Sequence, residues 1–156
     1  MGFDSIMQRL GYLALFSGLI FLTASHAASA QSKMRVFHAD MSADNETKFT
    51  ESPAVGKADF TLDLDSQELK WVITYSGLKS DPVSVSIYGP AQPGANGQMM
   101  FSLAPKSMKS PVVGSSHVTE GQIQYLLYGW TYVNIVTKNF EKGEIRGQLD
   151  IKAPAQ

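Results

Sequence analysis

Phe60, Leu62 and Leu64 alternate with Asp59, Thr61, Asp63 and Asp65, and shortly afterwards Leu69, Trp71, Ile73 and Tyr75 alternate with Lys70, Val72, Thr74 and Ser76. Side chains on a strand point to opposite faces in turn, so this period of two predicts a pair of half-buried strands. Asp65-Ser66-Gln67 supplies turn chemistry between them, and the two are expected to form an antiparallel hairpin. A third strand follows, with Val83, Val85 and Ile87 on one face and Ser84, Ser86 and Tyr88 on the other. The stretch from Gly89 to Gly97 (GPAQPGANG) is too dense in turn formers for regular structure. Met99 to Leu103 then reads as a further strand.

One helical piece is expected. Thr119 with Gln122 three residues later fits a capping box, in which each side chain bonds the other residue's backbone N–H. Ile123, Leu126 and Leu127 fall on one helical face, and Gly129 is placed to end the turn in a left-handed conformation. Trp130 to Thr137 reads as a strand. The last strand, Glu144 to Ile151, points Ile145, Gly147, Leu149 and Ile151 one way and Glu144, Arg146, Gln148 and Asp150 the other. Met34 to Met41 reads as a strand whose pattern leaves its buried face open, and Asp44 to Ser52 as a mobile polar loop. Many short strands, frequent turns and one short helix describe an all-β fold, an antiparallel sandwich or barrel.

The N-terminus stands outside that argument. Arg9 precedes an apolar run from Leu10 to Ala24, and Ala28-Ser29-Ala30 offers the small residues of a peptidase site. A positive flank, a short apolar segment and an A-x-A site make residues 1–30 a cleavable secretory signal, with 31–156 as one domain whose core runs from about 34 to 151. The run is shorter than the ~20 residues that cross a bilayer, so no stable membrane insertion is expected after cleavage. No cysteine follows it to carry a lipid. The expected location is periplasmic or secreted. Residues 1–30 hold only Asp4 and Arg9 as charges, so the net charge of −1 is unchanged by their loss. A near-neutral chain without a basic run gives no electrostatic reason to expect a nucleic-acid partner. With no cysteine at all, disulfides and thiolate metal sites are excluded and the core alone must supply stability.

Four segments, in order, carry a family resemblance: Tyr75-Ser76-Gly77-Leu78, Ile87-Tyr88-Gly89-Pro90-Ala91, Tyr132-Val133-Asn134, and Gly143-Glu144-Ile145-Arg146-Gly147-Gln148-Leu149. Together they resemble the CHRD domain, a β-rich module named after chordin and also found in bacterial exported proteins. The similarity runs from about Met34 to Ile151. It implies an immunoglobulin-like β-barrel distantly similar to copper/zinc superoxide dismutase. Family members often carry histidines where this chain has Ser86, Tyr88 and Val136. The strand parity places Ser86 and Tyr88 on one face, and Val136 on the same face as Tyr132 and Asn134.

Zinc or copper calls for three or four imidazole or thiolate ligands. Beyond residue 30 only His38 and His117 remain, and serine, tyrosine and valine do not rebuild such a set. No cofactor and no metal are therefore expected, and a dismutase-like enzyme is the disfavoured alternative. His38 and Asp40 read as a hydrogen-bonded surface pair, because no third catalytic group accompanies them. Ser116 and His117 would face opposite ways on a strand, so His117 reads as a loop histidine. Asp63, Asp65 and Glu68 lack the glycine and spacing of a calcium loop and read as a hairpin turn with solvated carboxylates.

The expectation is a non-catalytic exported module that binds a protein or glycan partner in the envelope, or serves there structurally. Ser86, Tyr88, Tyr132, Asn134 and Val136 are the candidate binding residues. Gly89, Pro90, Gly143, Glu144, Arg146 and Gly147 are the structural motif, with the loops Gly89–Gly97 and Pro105–Ser115 as adjustable surfaces. Of Tyr125, Tyr128, Trp130 and Tyr132, half are expected in the core. Any left exposed would make an amphipathic contact surface.

Overall fold

The computed structural model describes residues 33–48, 50–104 and 106–152. The expected signal segment, 1–30, lies outside the described residues. Among the described residues nine strands and one α-helix follow in chain order: β1 (Met34–Ser42), β2 (Val55–Asp63), β3 (Glu68–Ser76), β4 (Pro82–Gly89), β5 (Gln98–Ser102), β6 (Val112–His117), α1 (Glu120–Leu127), β7 (Tyr132–Thr137), β8 (Phe140–Gln148) and β9 (Asp150–Lys152). They form a single antiparallel sheet in the order β5-β4-β7-β8-β1-β2-β3-β6, with β9 added to β1. The sheet curls into a half-barrel, so the chain is an all-β fold with one short helix.

The expected hairpin is β2–β3, paired from Val55↔Ser76 to Asp63↔Glu68. Its alternation decides the inside of the curl: Phe60, Leu62, Leu69 and Ile73 are buried, as are Phe37, Ala39 and Met41 of β1. Each such aliphatic or aromatic side chain removed from water stabilises the fold by about 1.5–3 kcal/mol. The curl is closed by side chains. Trp71 of β3 donates its indole N–H to the Leu103 carbonyl at 2.8 Å, and its ring lies 6.4 Å from that of Phe101 in β5. Gly114, opposite Trp71 on β6, leaves room for the indole, since a Cβ there would stand 2.7 Å from it. Helix α1 carries the expected capping box on Thr119 and Gln122 and buries Ile123 and Leu126. Gly129 takes φ 69°, the left-handed stop expected of it.

Several boundaries differ from the sequence reading. The Glu144–Ile151 strand is broken at Leu149 into β8 and β9. Both pieces pair with β1 in one register, Ser42↔Arg146 and Val36↔Lys152, while Leu149 N–H donates to Thr131 O in the register of β7 and β8. Ile151 is exposed rather than inward. Val83 is also exposed, beside the irregularity between Pro82 and Ser84. The loop expected at Pro105–Ser115 gives its last residues to β6. That strand escaped notice because Gly114 interrupts its apolar pattern where Trp71 fills the space. His117 likewise ends β6 rather than lying in a loop. Strand β7 begins at Tyr132, two residues later than expected.

The segment 43–52 is the largest departure. Apart from Phe49, which lies outside the described residues, it is an ordered strap rather than a mobile loop. A 3₁₀ turn at Ala43–Asn45 opens it. Asn45 Nδ2 donates to Asp40 O and Arg146 O, at 3.1 and 3.0 Å. Thr50 donates to Glu144 O at 3.2 Å.

Candidate functional site

The strap and the Gly89–Gly97 loop both lie over the face shared by β4, β7 and β8. Register fixes its membership. Ser84 pairs with Val136, Ser86 with Asn134 and Tyr88 with Tyr132, while Tyr132 pairs with Gln148 and Asn134 with Arg146. Directly paired residues of antiparallel strands project to the same side. Ser86, Tyr88, Tyr132, Asn134, Val136, Arg146 and Gln148 are therefore brought together on one face. Gly89, at the end of β4, pairs with Gln98 and leads through Pro90 into the covering loop, while Gly147 pairs with Val133 on β7.

At its centre is a three-layer stack. The Tyr88 and Tyr132 rings lie 5.3 Å apart and 12° from parallel, and the Arg146 guanidinium carbon sits 3.6 Å from the Tyr132 ring centroid. The stack is held by the covering loop: Arg146 donates from Nη1 to Asn96 Oδ1 at 3.2 Å and from Nη2 to Ala95 O at 3.0 Å. Gly97 N–H donates to the Tyr132 hydroxyl at 3.2 Å, and Gln148 Nε2 donates to Ala91 O and Gly129 O. Ser86, Tyr132, Asn134 and Arg146 are all buried, and Tyr88 and Val136 half-buried. Burial raises the Tyr88 phenol above its usual value.

Glu144 and Arg146 share this face but do not pair with each other. Glu144, fully buried, accepts from Ser52 Oγ at 2.6 Å, Lys79 N–H at 2.7 Å and Thr137 Oγ1 at 2.7 Å. Three neutral donors converging on one carboxylate satisfy its charge as a salt bridge would. It thereby ties the strap, the β3–β4 connection and β7 together.

Glu46 of the strap reaches the same face. Burial pushes its carboxyl up to about 7, against the opposing pull of Arg146. Its Oε1 is buried without a hydrogen-bond partner, as are Ser86 Oγ and Asn134 Oδ1. Gly143, at φ 131°, sits beneath them. A Cβ there would run into Asn134 Oδ1, Asn134 Nδ2 and Glu46 Oε1 together. Glu46 and Asn96 were not visible as site residues in the sequence. They lie in polar, aperiodic segments, and only the fold brings them to the strands.

The donor set does not fit a transition-metal centre. At Ser86, Tyr88 and Val136, where the family resemblance implies imidazoles, this chain offers a buried hydroxyl, a phenol committed to a ring stack and an aliphatic side chain. Among the described residues no three His, Cys, Asp or Glu side chains are grouped to hold a metal ion. Elsewhere, His38 faces Asp40 at 3.2 Å and Asp59 at 2.9 Å. Burial works to raise the Asp59 carboxyl, but the His38 hydrogen bond and the nearby Lys152 hold it below its usual value. Asp63 accepts the backbone N–H groups of Asp65 and Ser66 at 2.8 and 3.3 Å, which is the turn chemistry expected there. A concavity of about 820 Å³ lies over β2, β3 and β6 and is lined by Val72, Val113 and Lys70 among others. It contains none of the stacked residues. A smaller cleft of about 450 Å³ runs beside Arg146 between His38, Asp40, Gly94 and Gln148.

Of the four clustered aromatics, Tyr132 is buried and Tyr125 half-buried. Tyr128 and Trp130 are exposed at 63% and 39%, with rings 5.1 Å apart. They flank Gly129 in the α1–β7 turn, which is braced by Tyr128 N–H to Gln124 O, Gly129 N–H to Leu126 O and Trp130 N–H to Tyr125 O. The backbone carbonyl of Trp130 also receives Ala91 N–H at 2.8 Å, which joins this turn to the covering loop.

Among the described residues no helix is long and apolar enough to cross a membrane. No curated protein and no solved structure matches the chain. The family model of the CHRD domain does, over residues 37–149, from Phe37 in β1 to Leu149 at the end of the β8 ladder. The span takes in the Tyr88–Tyr132–Arg146 stack, its covering loop and the strap, and the chain belongs to the CHRD domain family.

Proposed function

We propose that this chain is a non-catalytic, exported binding module of the cell envelope, and that it meets its partner at the end of the half-barrel formed by the Gly89–Gly97 loop and the Tyr128–Trp130 pair. The observation carrying this reading is the filled strand face. Of the positions where the family resemblance implies imidazoles, Tyr88 is packed into a ring stack under a hydrogen-bonded loop and Ser86 is buried beside it, so they offer no open coordination. Tyr128 and Trp130 contrast with it. They are exposed aromatics on a braced turn, which present contact area at small entropic cost to a protein or glycan. The leader-like first 30 residues support export, to the periplasm or beyond.

The test is retention of the purified mature protein on the envelope fraction of its source cells, compared with the double variant Tyr128→Ala/Trp130→Ala, with superoxide dismutation assayed alongside. Both aromatics are exposed, so the variant is expected to keep its fold while its retention drops about tenfold or more, as at interface aromatic hot spots. No dismutation is expected. Unchanged retention in the variant contradicts the proposed surface, and turnover of superoxide contradicts the non-catalytic reading.

A further inference from the structure

Glu46 poses a hydrogen-bonding problem that its neutral acid form solves. Its Oε1 is buried and unpartnered, and so is Asn134 Oδ1; the two crowd the same glycine, Gly143. Asn134 Nδ2 donates to Lys142 O at 3.0 Å and makes no hydrogen bond to the Glu46 carboxyl, whose Oε1 has no partner. Two buried acceptors without donors therefore crowd one glycine, an arrangement that costs free energy unless a proton is supplied between them. The charged and titratable groups around this point are few. Tyr88 approaches from β4 and feels Glu46 directly, and Arg146 approaches from β8. The guanidinium is already engaged by Asn96, Ala95 and the Tyr132 ring. Glu144 is saturated by its three donors. Lys48 and Asp44 of the strap, and Lys142 of β8, are exposed.

We propose that Glu46 is a pH latch: its carboxyl enters the strand face as the neutral acid, donates its proton to Asn134 Oδ1, and releases the strap when it ionises. A carboxylate there would repel the Asn134 oxygen and could be satisfied only by drawing Arg146 from the loop or by moving into solvent. Either path loosens the cover. Thr47, next in the chain, exchanges hydrogen bonds with Asn96 at 3.3 and 3.1 Å, so the strap and the Gly89–Gly97 loop are coupled and would release together. The elevated carboxyl, at about 7, is what burial without a compensating partner produces. The direction follows from linkage. A carboxyl whose folded value is raised above its unfolded one near 4.5 contributes its stabilisation fully below that value. It loses the contribution as pH rises through about 7. The latch is shut in acid and opens in mild alkali, and it stands independently of what the domain binds.

The side-chain carboxyl of Glu46 in ¹³C-labelled mature protein, assigned through its bonded backbone, reports the latch directly by NMR between pH 4 and 9. A titration midpoint near neutrality is expected; a midpoint in the ordinary glutamate range would overturn the proposal. Hydrogen exchange at the Thr47 and Lys48 amides adds the conformational readout. Relative to Glu46→Gln, whose amide keeps a donor for Asn134 without titrating, wild-type protection is expected to fall about tenfold or more between pH 6 and pH 8.5, one decade per pKa unit of linkage. Parallel protection in the two proteins would show that Glu46 does not hold the strap.

Discussion

Arg146 shows how much depends on a single side chain in this fold. It is the only cation in the stack, and it connects β8, the Tyr132 ring and the carbonyl and amide oxygens of the covering loop. Charge-assisted hydrogen bonds contribute about 1.5–3 kcal/mol each, and a desolvated guanidinium over an aromatic ring adds up to about 2 kcal/mol. Arg146→Ala is therefore expected to lower stability by about 3–5 kcal/mol, read as a shift in the urea midpoint. Arg146→Lys should recover little of it, because an ammonium lacks the planar fork that reaches Asn96 and Ala95 while lying on Tyr132. A lysine variant as stable as wild type would show that charge alone matters. The sequence places Glu144 and Arg146 on one face by parity, and the structure agrees. What parity leaves out is their cover. Neither the loop over Arg146 nor the donors Ser52 and Lys79 at Glu144 leave a periodic trace, since they come from segments 50 to 92 residues away in the chain.

Elements were legible where their own pattern sufficed. The β2–β3 hairpin reads directly from alternation and turn chemistry, and α1 from its cap. Thr119→Ala is expected to cost about 1 kcal/mol, the usual value of a helix N-cap, while Thr119→Ser stays near wild type. Thermal unfolding of the two variants checks this, and an alanine variant without loss would place the stability of α1 in Ile123 and Leu126 alone. Elements defined by a neighbour were not legible. Strand β6 is masked by Gly114, which exists for Trp71 of β3, and the break between β8 and β9 at Leu149 falls within a run whose alternation continues through it. The strap looked mobile because its composition is polar, yet polarity is what lets Asn45, Thr50 and Ser52 bond the strands beneath it. In segments of this kind composition measures solubility, whereas order depends on whether the fold supplies partners.

The curled sheet accounts for the distribution of chemistry over the molecule as a whole. Its concave side takes the apolar residues that alternation marks. Its β4–β7–β8 face collects polar and aromatic ones, which two hydrogen-bonded covers then remove from solvent. Family resemblance pointed to residues of this face, through the order of four short segments. It could not say that Ser86, Tyr88 and Val136 would be packed beneath a strap and a loop, because that depends on Glu46, Asn96 and the Tyr132 stack. This chain uses Tyr88, Tyr132 and Arg146 for internal cohesion. The function proposed above assigns recognition to the exposed Tyr128–Trp130 end.

The measurement that bears most directly on this view is calorimetric titration of the mature protein with Cu²⁺ and Zn²⁺, with the metal content of the purified chain determined in parallel. Without an imidazole set on the β4–β7–β8 face, substoichiometric metal and no saturable one-to-one binding are expected. One tightly held ion per chain, lost on replacing Tyr88 or Ser86 with alanine, would contradict the account.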